Sequence, residues 1–366
     1  MSKIERRAQI SRADYFAHYV NPQKPLVFTD LFSGQPLDRL RTPELFRERF
    51  GDMPIMVYEH YHDTITRAAF ALLGGGDKLK EVRPHEMLTT ISKYMDEIAR
   101  NPKYQFLCSE SPKHLWPDEF RAALKFPSYC HDRSGELAGL ITELWLGPPG
   151  YITHMHYDAD ARDILNHQVF GRRRFILAPP TSSTRIGSIL NYGIFSPTRL
   201  SESERRKWVE SIDGYEVELA PGETLLIPGL WWHHTDYLDT SFSIAIRHNS
   251  NAYKEAFYAN VQPNYKTQRI VNEYRDEQAI SSQWRAVFER FEGVFSVQPD
   301  AAKQAKMRSL VNEVYEEMFG NDATTPFLSP VVNWAAETLE AQLAQANNLQ
   351  SLRFKGGDAK VETREA

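Results

Sequence analysis

Cysteine is scarce in this chain: only Cys108 and Cys130 occur among its 366 residues, in unrelated sequence contexts. Two isolated cysteines do not build the disulfide framework that holds small secreted proteins together. They also do not supply the grouped thiolates that bind structural zinc. The sequence therefore predicts neither a disulfide framework nor a thiolate metal site.

An excess of charge of one sign is also missing. The 43 Lys and Arg residues nearly balance the 48 Asp and Glu residues, which leaves a formal net charge of −5. So mild a charge gives no reason to expect nucleic acid or an anionic membrane as a partner. No apolar run approaches the length of a membrane span, and the residues after Met1 lack the apolar centre of a signal peptide. We therefore expect a cytoplasmic enzyme.

Short strand-like segments separated by glycine and proline dominate residues 137–250. Segment 140–146 is closed by a turn at 147–150, and segment 224–227 follows a turn at 221–223. Strands of this kind, with no helices between them, favour an antiparallel sandwich or barrel. The pattern predicts a β core over 137–250. Its other strands are predicted at 164–170, 174–177, 215–219 and 242–246.

The flanking regions predict more helix. Residues 1–136 predict a mixed α/β segment that packs on the core, with a helix starting at Ser11 and an amphipathic helix over 84–99. Residues 251–350 predict a helical region that packs on the core, forms a homodimer, or does both. The polar residues 351–366 predict a disordered tail. Helices of the C-terminal region are predicted at 268–277, 282–291, 301–319 and 331–346.

The chemistry centres on the stretch from Thr153 to Asp158. If His156 and Asp158 lie on an extended strand, their side chains point the same way because alternate residues share a face. Two histidines and one carboxylate around a metal with open positions are typical of non-haem Fe(II) oxygenases. A His-x-Asp pair alone is a weak signal, and its ordinary explanation is a hydrogen-bonded pair at a strand end. The block Pro-Gly-Glu-Thr-Leu-Leu-Ile-Pro-Gly-Leu-Trp-Trp-His-His at 221–234 strengthens it.

These two blocks resemble those of the Jumonji-C and related cupin-like hydroxylases, a branch of the 2-oxoglutarate-dependent oxygenases. The resemblance covers residues 140–250 well and 20–250 loosely. It implies a mainly β fold, a double-stranded β-helix of the jelly-roll or cupin type, with N-terminal α/β elements and C-terminal helices. It also implies that His156, Asp158 and His233 are the metal ligands and catalytic residues, with Fe(II), 2-oxoglutarate and O₂ as cofactor and co-substrates.

The same resemblance implies a binding site for 2-oxoglutarate. Thr153 occupies the family's threonine position, and Arg173 stands where the family usually has lysine after glycine. A guanidinium still binds a carboxylate, and it does so bidentately. Asn166 and Asn249 fall where relatives often carry asparagine near the co-substrate. Tyr104 is a further candidate for this carboxylate, although Phe106 matches the position equally well.

Several neighbouring residues have simpler structural explanations. His234 follows the predicted ligand and points to the other strand face, so we expect it to pack or hydrogen-bond. His154 shares a face with His156 if the strand is regular, which leaves a contact with metal or substrate open. Asp160 and Asp163 predict a solvated acidic turn, with contact to a cationic substrate as the alternative. Packing roles are predicted for Trp231, Trp232, His167 and His248, and a solvated strand edge for Arg172 and Arg174.

The resemblance implies an enzyme that hydroxylates a C–H bond, most simply of an amino-acid side chain, and releases succinate and CO₂. The substrate class stays open between a protein, a peptide, a free amino acid and a natural-product intermediate. The same chemistry gives demethylation where the attacked carbon carries nitrogen. Two alternatives also stay open: a cupin-type metalloenzyme without 2-oxoglutarate, and a non-catalytic binding module on the same fold.

Overall fold

The computed structural model of the chain describes residues 3–59, 85–130, 141–158, 162–248, 290, 294, 301–319 and 338–344, except for short gaps at 102–103, 105, 110, 112, 183–184, 187, 190 and 194. Strands dominate this part of the chain. In chain order they are β1 (Glu5–Arg7), β2 (Leu26–Phe28), β3 (Pro54–Glu59), β4 (Glu86–Thr90), β5 (Phe106–Cys108), β6 (Ile141–Gly147), β7 (Ile152–His156), β8 (Asp163–Phe170), β9 (Arg173–Ala178), β10 (Ser188–Ile189), β11 (Tyr192–Gly193), β12 (Tyr215–Leu219), β13 (Thr224–Ile227), β14 (Trp232–Tyr237) and β15 (Ser241–His248).

Helices occupy the periphery. The first begins where the sequence predicts it, because the Ser11 hydroxyl accepts a hydrogen bond from the Asp14 N–H at 3.0 Å. A π-helical turn over Phe16–Val20 continues that helix. The α-helices are α1 (Arg12–Tyr15), α2 (Pro43–Phe50), α3 (Ile91–Arg100), α4 (Asp118–Ala123), α5 (Glu202–Ser211) and α6 (Ala301–Phe319), and 3₁₀ turns cover Pro36–Arg39, Lys113–Leu115, Ser128–Cys130, Pro180–Ser182 and Pro197–Arg199.

The strands form two sheets. The larger has the order β1-β2-β13-β8-β15-β6-β5-β3-β4, and the smaller has the order β10-β11-β7-β14-β9-β12. From β6 onward the chain alternates between them, so that β6, β8, β13 and β15 lie in one sheet and β7, β9, β12 and β14 in the other. This alternation is that of a double-stranded β-helix, a form of jelly roll, and it confirms the predicted fold class.

Two apolar clusters hold the sheets in place. One fills the space between the sheets, where Phe175 and Leu219 of the smaller sheet meet Leu225 and Ala245 of the larger. The other lies under α2 and α4, where Phe46 contacts Phe170 and Phe242 with ring centroids 5.5 and 4.6 Å apart. The N-terminal strands β3, β4 and β5 extend the larger sheet beyond β6. The helices of the N-terminal segment thus cover the outer face of the sheet whose inner face carries the core.

The turn between β8 and β9 depends on a glycine. Gly171 has φ +67°, and a Cβ there would collide with the backbone of Thr240 and Ser241. Glycine tolerates both this conformation and such a close approach. The turn leads from β8 into β9, which pairs with β14.

Two predictions of local structure are wrong. Residues 86–90 of the predicted helix 84–99 form β4, because this segment pairs with β3 from Pro54↔Thr90 to Tyr58↔Glu86. Helix α3 starts only after Thr90, whose side chain caps it. The β core also contains a helix, α5, which begins at a capping box between Ser201 and Glu204. Sheet pairing overrode the helical spacing in the first case, and the capping signal was overlooked in the second.

Part of the C-terminal region packs on the core. Helix α6 confirms the prediction at 301–319 and buries Met307, Val311 and Val314 at helical spacing. The Gln342 amide exchanges two hydrogen bonds with the Ser196 backbone, at 3.0 and 3.2 Å. The predicted helix 268–277 and tail 351–366, and most of 282–291 and 331–346, lie outside the described residues. Among the described helices, none combines the length and the apolar character that crossing a membrane would require.

Candidate active site

Neighbouring strands β7 and β14 bring the predicted metal ligands together. His156 and His233 are direct cross-strand partners, and their rings lie 4.2 Å apart between centroids. Asp158 follows two residues after His156, with its Oδ1 3.8 Å from His156 Nε2. One ligand atom from each of the three residues lies within 4.8 Å of the others, close enough to share a single ion.

A β-bulge aims the side chains of β7. His233 pairs with His156 while Thr235 pairs with Thr153, so β7 contains one more residue than β14 over this interval. Thr153 and His156, three residues apart, therefore both face the interior, which regular alternation would not allow. His154 does not contribute to the cavity wall. Because β7 is not regular at this point, the expectation that His154 shares a face with His156 does not hold.

Backbone contacts fix which nitrogen of each histidine faces the site. His156 Nδ1 lies 2.7 Å from the His154 carbonyl oxygen, and His233 Nδ1 lies 3.0 Å from that of Trp231. Since a carbonyl only accepts, each Nδ1 carries the hydrogen and each Nε2 presents its lone pair. Burial lowers the pKa of His156 to about 3, with His233 adding to the shift, and burial also lowers the pKa of His233. Both rings are neutral near pH 7, the form that binds a metal ion.

Asp158 completes the set as a carboxylate. Burial alone would raise its pKa, but the charge of Arg247 and the two imidazoles outweigh burial, and the pKa lies below its usual value. Arg247 is paired with Asp158 Oδ2 at 3.3 Å and with Glu143 Oε2 at 3.3 Å. One carboxylate oxygen thus lies on the histidine side while the other contacts a guanidinium.

A cavity of about 140 Å³ opens between the two sheets at this point. Tyr192 of β11 forms part of its wall and stacks against His156, with the ring centroids 6.0 Å apart. Ile164, Phe175 and Ile227 join the cavity to the inter-sheet core. Six residues predicted from the sequence line it together: Thr153, His156, Asp158, Asn166, Arg173 and His233.

Arg173 is a buried cation in the wall of this cavity. It is 1% exposed. Its guanidinium donates to the Ser241 and Ser243 hydroxyls and to the backbone oxygens of Trp145 and Ser241, and lies 4.0 Å over the ring of Tyr237. Within the described ranges no carboxylate pairs with it. Burial lowers the pKa of Arg173, and the groups that oppose this shift are two phenols and a thiol. A buried guanidinium without a counter-charge beside a cavity is suited to receive an anion.

Two further predicted residues present polar groups to the cavity. Thr153 hydrogen-bonds with the Tyr237 hydroxyl, which joins it to the surroundings of Arg173. The Asn166 side-chain oxygen is buried and has no hydrogen-bond partner. An orphaned buried oxygen is costly to leave unsatisfied, so a ligand or water with a donor group is expected there.

Tyr104 lies elsewhere. It stacks on Phe106 with ring centroids 5.0 Å apart and packs near Tyr94, and it does not line the cavity. The phenol beside Arg173 belongs instead to Tyr237, because strands β9 and β14 pair Arg173 with Tyr237. The other candidate, Asn249, lies outside the described residues.

The remaining histidines of this region have structural partners. His234, on the outer face of β14, donates through Nε2 to Asp236 Oδ1 at 3.0 Å and also contacts the Thr198 hydroxyl. His248 joins the Tyr15 hydroxyl, 2.7 Å away, to the Asp163 carbonyl oxygen at 3.0 Å. His167 contacts the Thr224 hydroxyl at 2.9 Å.

The prediction of a solvated acidic turn is wrong for Asp163. This residue is 6% exposed, and its carboxylate accepts a hydrogen bond from the Gly229 N–H at 2.7 Å. It starts β8 and ties that strand to the segment before β14, so burial follows from its place in the sheet. Asp160 lies outside the described residues.

Glu143, Tyr237 and Arg247 are among the cavity residues that the sequence did not predict. Each lies two residues along its strand from another wall residue: Glu143 from Trp145, Tyr237 from Thr235, and Arg247 from Ala245. A charged residue at an inward position of an otherwise apolar strand was the available signal for Glu143 and Arg247.

The donor set fits a divalent transition metal. Two neutral imidazole nitrogens and one carboxylate oxygen suit Fe(II), and no further histidine, cysteine, aspartate or glutamate joins the cluster among the described residues. The neighbouring Arg173 suits an anionic co-ligand, and the orphaned oxygen of Asn166 suits a water or another group that donates a hydrogen bond.

Comparisons with known proteins show to which family the chain is similar. The family profile described as a cupin-like domain matches residues 12–255. Jumonji C domain-containing protein 5 of Drosophila melanogaster is 30% identical over 127 residues, 33% of this chain and 31% of that protein. Lysine-specific demethylase JMJ30 of Arabidopsis thaliana is 25% identical over 261 residues, which are 66% of this chain and 54% of that protein. Lysine-specific demethylase 8 of Xenopus tropicalis is 20% identical over 234 residues, which are 62% of this chain and 48% of that protein. This chain thus spans about half or less of the length of these relatives.

Proposed function

Because the chain belongs to the cupin-like domain family, we propose that it is an Fe(II)- and 2-oxoglutarate-dependent oxygenase that oxidises a C–H bond of an amino-acid side chain. One observation carries this proposal. The cluster of His156, Asp158 and His233 and the uncompensated cation Arg173 line the same cavity.

Each of these residues has a defined part in the proposal. His156 and His233 donate through Nε2 and Asp158 through a carboxylate oxygen, and together they hold Fe(II). Arg173 receives the distal carboxylate of 2-oxoglutarate, with Tyr237 and Thr153 beside it. When bound, iron and 2-oxoglutarate together activate O₂ for transfer of oxygen to a C–H bond, with release of succinate and CO₂.

The rest of the cavity orients the ligands and excludes water. The Trp231 and His154 carbonyl oxygens hold the two imidazoles in the tautomer that binds metal. The apolar side chains of Ile164 and Phe175 close the inner end towards the core. The unsatisfied side-chain oxygen of Asn166 accepts a hydrogen bond from a water or from a donor group of the substrate. These contacts fix the site before any substrate arrives, which is what rapid chemistry at a metal requires.

The co-substrate distinguishes this function from its two rivals. A cupin-type metalloenzyme without 2-oxoglutarate needs the metal ligands but has no use for a buried guanidinium beside the cavity. A non-catalytic binding module needs neither the ligands nor the cation. Burying an unpaired charge is expensive, so the presence of Arg173 favours the co-substrate-dependent enzyme.

We propose hydroxylation of a protein or peptide side chain as the first outcome to test, with free amino acids and natural-product intermediates as further substrates. Demethylation of an N-methyl group is the second candidate, because two of the relatives are named as lysine-specific demethylases. Both outcomes use the same site and differ only in whether the oxidised carbon carries nitrogen.

An anaerobic titration tests the proposed function. Fe(II) and then 2-oxoglutarate are added to the purified protein, and the metal-to-ligand charge-transfer band of the chelate is followed by absorption. We expect a saturable band in the wild type and none in Asp158→Ala, with Asp239→Ala, a change at an exposed carboxylate, as the matched control. A wild-type protein that binds Fe(II) but gives no band is not an oxygenase of this class.

A substrate screen then separates hydroxylation from demethylation. Succinate formation is measured with unmodified peptides, N-methylated lysine peptides and free amino acids, and the masses of the products are determined by mass spectrometry. A mass gain of one oxygen indicates hydroxylation, whereas release of formaldehyde indicates demethylation.

The domain division at 136 and 250, the cytoplasmic location and a homodimer formed through the C-terminal helices stay predictions. Sedimentation of the full chain at several concentrations tests the dimer, and a monomer throughout would contradict it.

A further inference from the structure

Arg247 is the second cation of the cavity, and its surroundings differ from those of Arg173. It lies on β15, two residues after Ala245, and both side chains reach the cavity wall. Its guanidinium lies 3.3 Å from Asp158 Oδ2 and 3.3 Å from Glu143 Oε2, and its side chain is 16% exposed. Arg247 is thus held between a metal-ligand candidate and a second carboxylate.

The neighbouring strand fixes this arrangement. Strands β6 and β15 pair Glu143 with Ala245, so Glu143 and Arg247 are diagonal neighbours on one sheet face, a distance that long side chains span. The Glu143 side chain is 10% exposed and that of Asp158 is 15% exposed. A largely buried guanidinium between two carboxylates has its charge offset, in contrast to that of Arg173.

The contact with Asp158 uses one oxygen of the carboxylate. Oδ1 lies towards His156, whereas Oδ2 is paired with Arg247. A carboxylate that is not held in this way binds a metal ion through one or both oxygens. If both oxygens bound, they would take a coordination position that a co-substrate or O₂ otherwise occupies.

We propose that Arg247 is a positioning residue that restricts Asp158 to one metal-binding oxygen and so keeps a coordination position open. The inference rests on the proposed function for the use of that position, but the restriction itself concerns only Asp158, Arg247 and a divalent ion. Glu143 supports it by holding the guanidinium from the far side.

The test counts the water molecules on a bound metal ion. Mn(II) is added to the full-length protein without 2-oxoglutarate, and the number of exchangeable waters is obtained from water-proton relaxation. For an octahedral ion with three protein donor atoms we expect about three waters in the wild type, and about two in Arg247→Met, where both Asp158 oxygens bind. The affinity for Mn(II) does not fall in that variant.

Two variants accompany Arg247→Met. Arg247→Gln keeps a polar side chain but shortens it by two atoms and removes the charge, so it should lose the same water even if Arg247→Met does not fold. Arg172→Met removes an exposed arginine that pairs with Asp239 outside the cavity and keeps the wild-type number of waters. Thermal unfolding of each variant shows that the proteins compared are folded.

A second measurement links the restriction to the co-substrate. In the anaerobic Fe(II) titration, Arg247→Met should bind 2-oxoglutarate about tenfold more weakly, because the second Asp158 oxygen would then occupy a coordination position that the keto acid needs. An Arg247 that only supports the fold would lower thermal stability and leave the number of waters unchanged.

The outcomes separate this inference from the proposed function. The same number of waters in wild type, Arg247→Met and Arg247→Gln overturns the inference, and so does a parallel loss of Mn(II) and 2-oxoglutarate affinity. If the wild type binds Mn(II) but gives no charge-transfer band with Fe(II) and 2-oxoglutarate, the proposed function fails while the water count still decides the role of Arg247. A wild type that binds no Mn(II) overturns both.

Discussion

Strands β9 and β14 have two faces with different chemistry. On the inner face, His233, Tyr237 and Arg173 line the cavity. On the outer face, their neighbours along the chain complete their own network: Asp236 accepts from Arg174 at 2.7 Å and from His234 at 3.0 Å. Adjacent residues of the same type thus have opposite surroundings, because side chains alternate across a strand.

The comparison shows how to tell a functional polar group from a structural one in this fold. On the outer face, Asp236 offsets the charge of Arg174 and accepts a hydrogen bond from His234 Nε2, although the buried His234 Nδ1 has no hydrogen-bond partner. These contacts contribute to folding. Arg173 on the inner face has no carboxylate within the described ranges, and the histidine Nε2 atoms face a cavity. The missing counter-charge of Arg173 and the cavity, rather than residue type, mark the inner face as the place where we expect ligands to bind. The predictions below test that contrast.

The largest effect is expected for His233→Ala. Removing one of three ligand candidates should abolish both iron binding and succinate formation, whereas His234→Ala should retain both and lower the stability by about 1–3 kcal/mol, since Asp236 loses a buried donor. Bound iron per chain, measured anaerobically, and the thermal midpoint separate the two. Retention of iron in His233→Ala would break the contrast between the faces.

Arg173→Met should come next. Loss of a charge-assisted contact to a carboxylate costs about 1.5–3 kcal/mol, so the dissociation constant for 2-oxoglutarate should rise about 10- to 150-fold. Arg174→Met, the matched change on the outer face, should leave that constant unchanged. Equal effects of the two substitutions in the anaerobic titration would place the anion site elsewhere.

Asp236→Asn should change stability but not co-substrate affinity. Burial alone would raise the pKa of Asp236, but His234, Thr198 and Arg174 hold it well below its usual range. Because the folded-state pKa is depressed, the carboxylate stabilises the fold above its unfolded-state pKa, about 4, and this stability is lost as the pH falls.

The free energy of unfolding of Asp236→Asn should therefore lie about 1.5–3 kcal/mol below the wild type at pH 7, with the difference shrinking below about pH 4. Denaturant unfolding at pH 7, 5, 4 and 3 measures it. A difference that stays constant over that range would mean that Asp236 is not ionised in the folded protein.

The smallest effect is expected for Tyr237→Phe. The change removes a neutral hydrogen bond to Thr153 but keeps the ring over Arg173, so we expect about 0.5–1.5 kcal/mol, or a 2- to 12-fold weaker 2-oxoglutarate complex. Tyr104→Phe is the control and should have no effect, because Tyr104 does not line the cavity. An effect confined to Tyr104→Phe would restore the earlier assignment.

The sequence predicted six of the cavity-lining residues, including the three ligand candidates, through local pattern and family resemblance. Short strands with Gly and Pro turns indicated the β core, and the motif identified the positions of His156, Asp158, His233 and Arg173. Such features depend on residues close together in the chain or on a motif that carries the distant partner with it. The register that pairs Tyr237 with Arg173 depends on neither, which is why Tyr104 was preferred.

The other differences have the same origin. The bulge in β7 arises from its pairing with β14 and could not be seen in the alternation of the chain. The apolar spacing at 86–90 fits a helix, yet pairing with β3 makes it a strand. Arg247 and Glu143 form their ion pair only because β6 and β15 lie side by side, and the sequence does not show that pairing.

The two hydrogen bonds between the Gln342 side-chain amide and the Ser196 backbone have a practical consequence. Ser196 lies three residues after β11, whose Tyr192 stacks on His156 in the cavity wall, so the segment around Gln342 is tied to the chain next to that wall. Shortening the protein ahead of residue 338 would remove the partner of both the Ser196 N–H and its carbonyl oxygen. The binding assays proposed above therefore need the full-length chain.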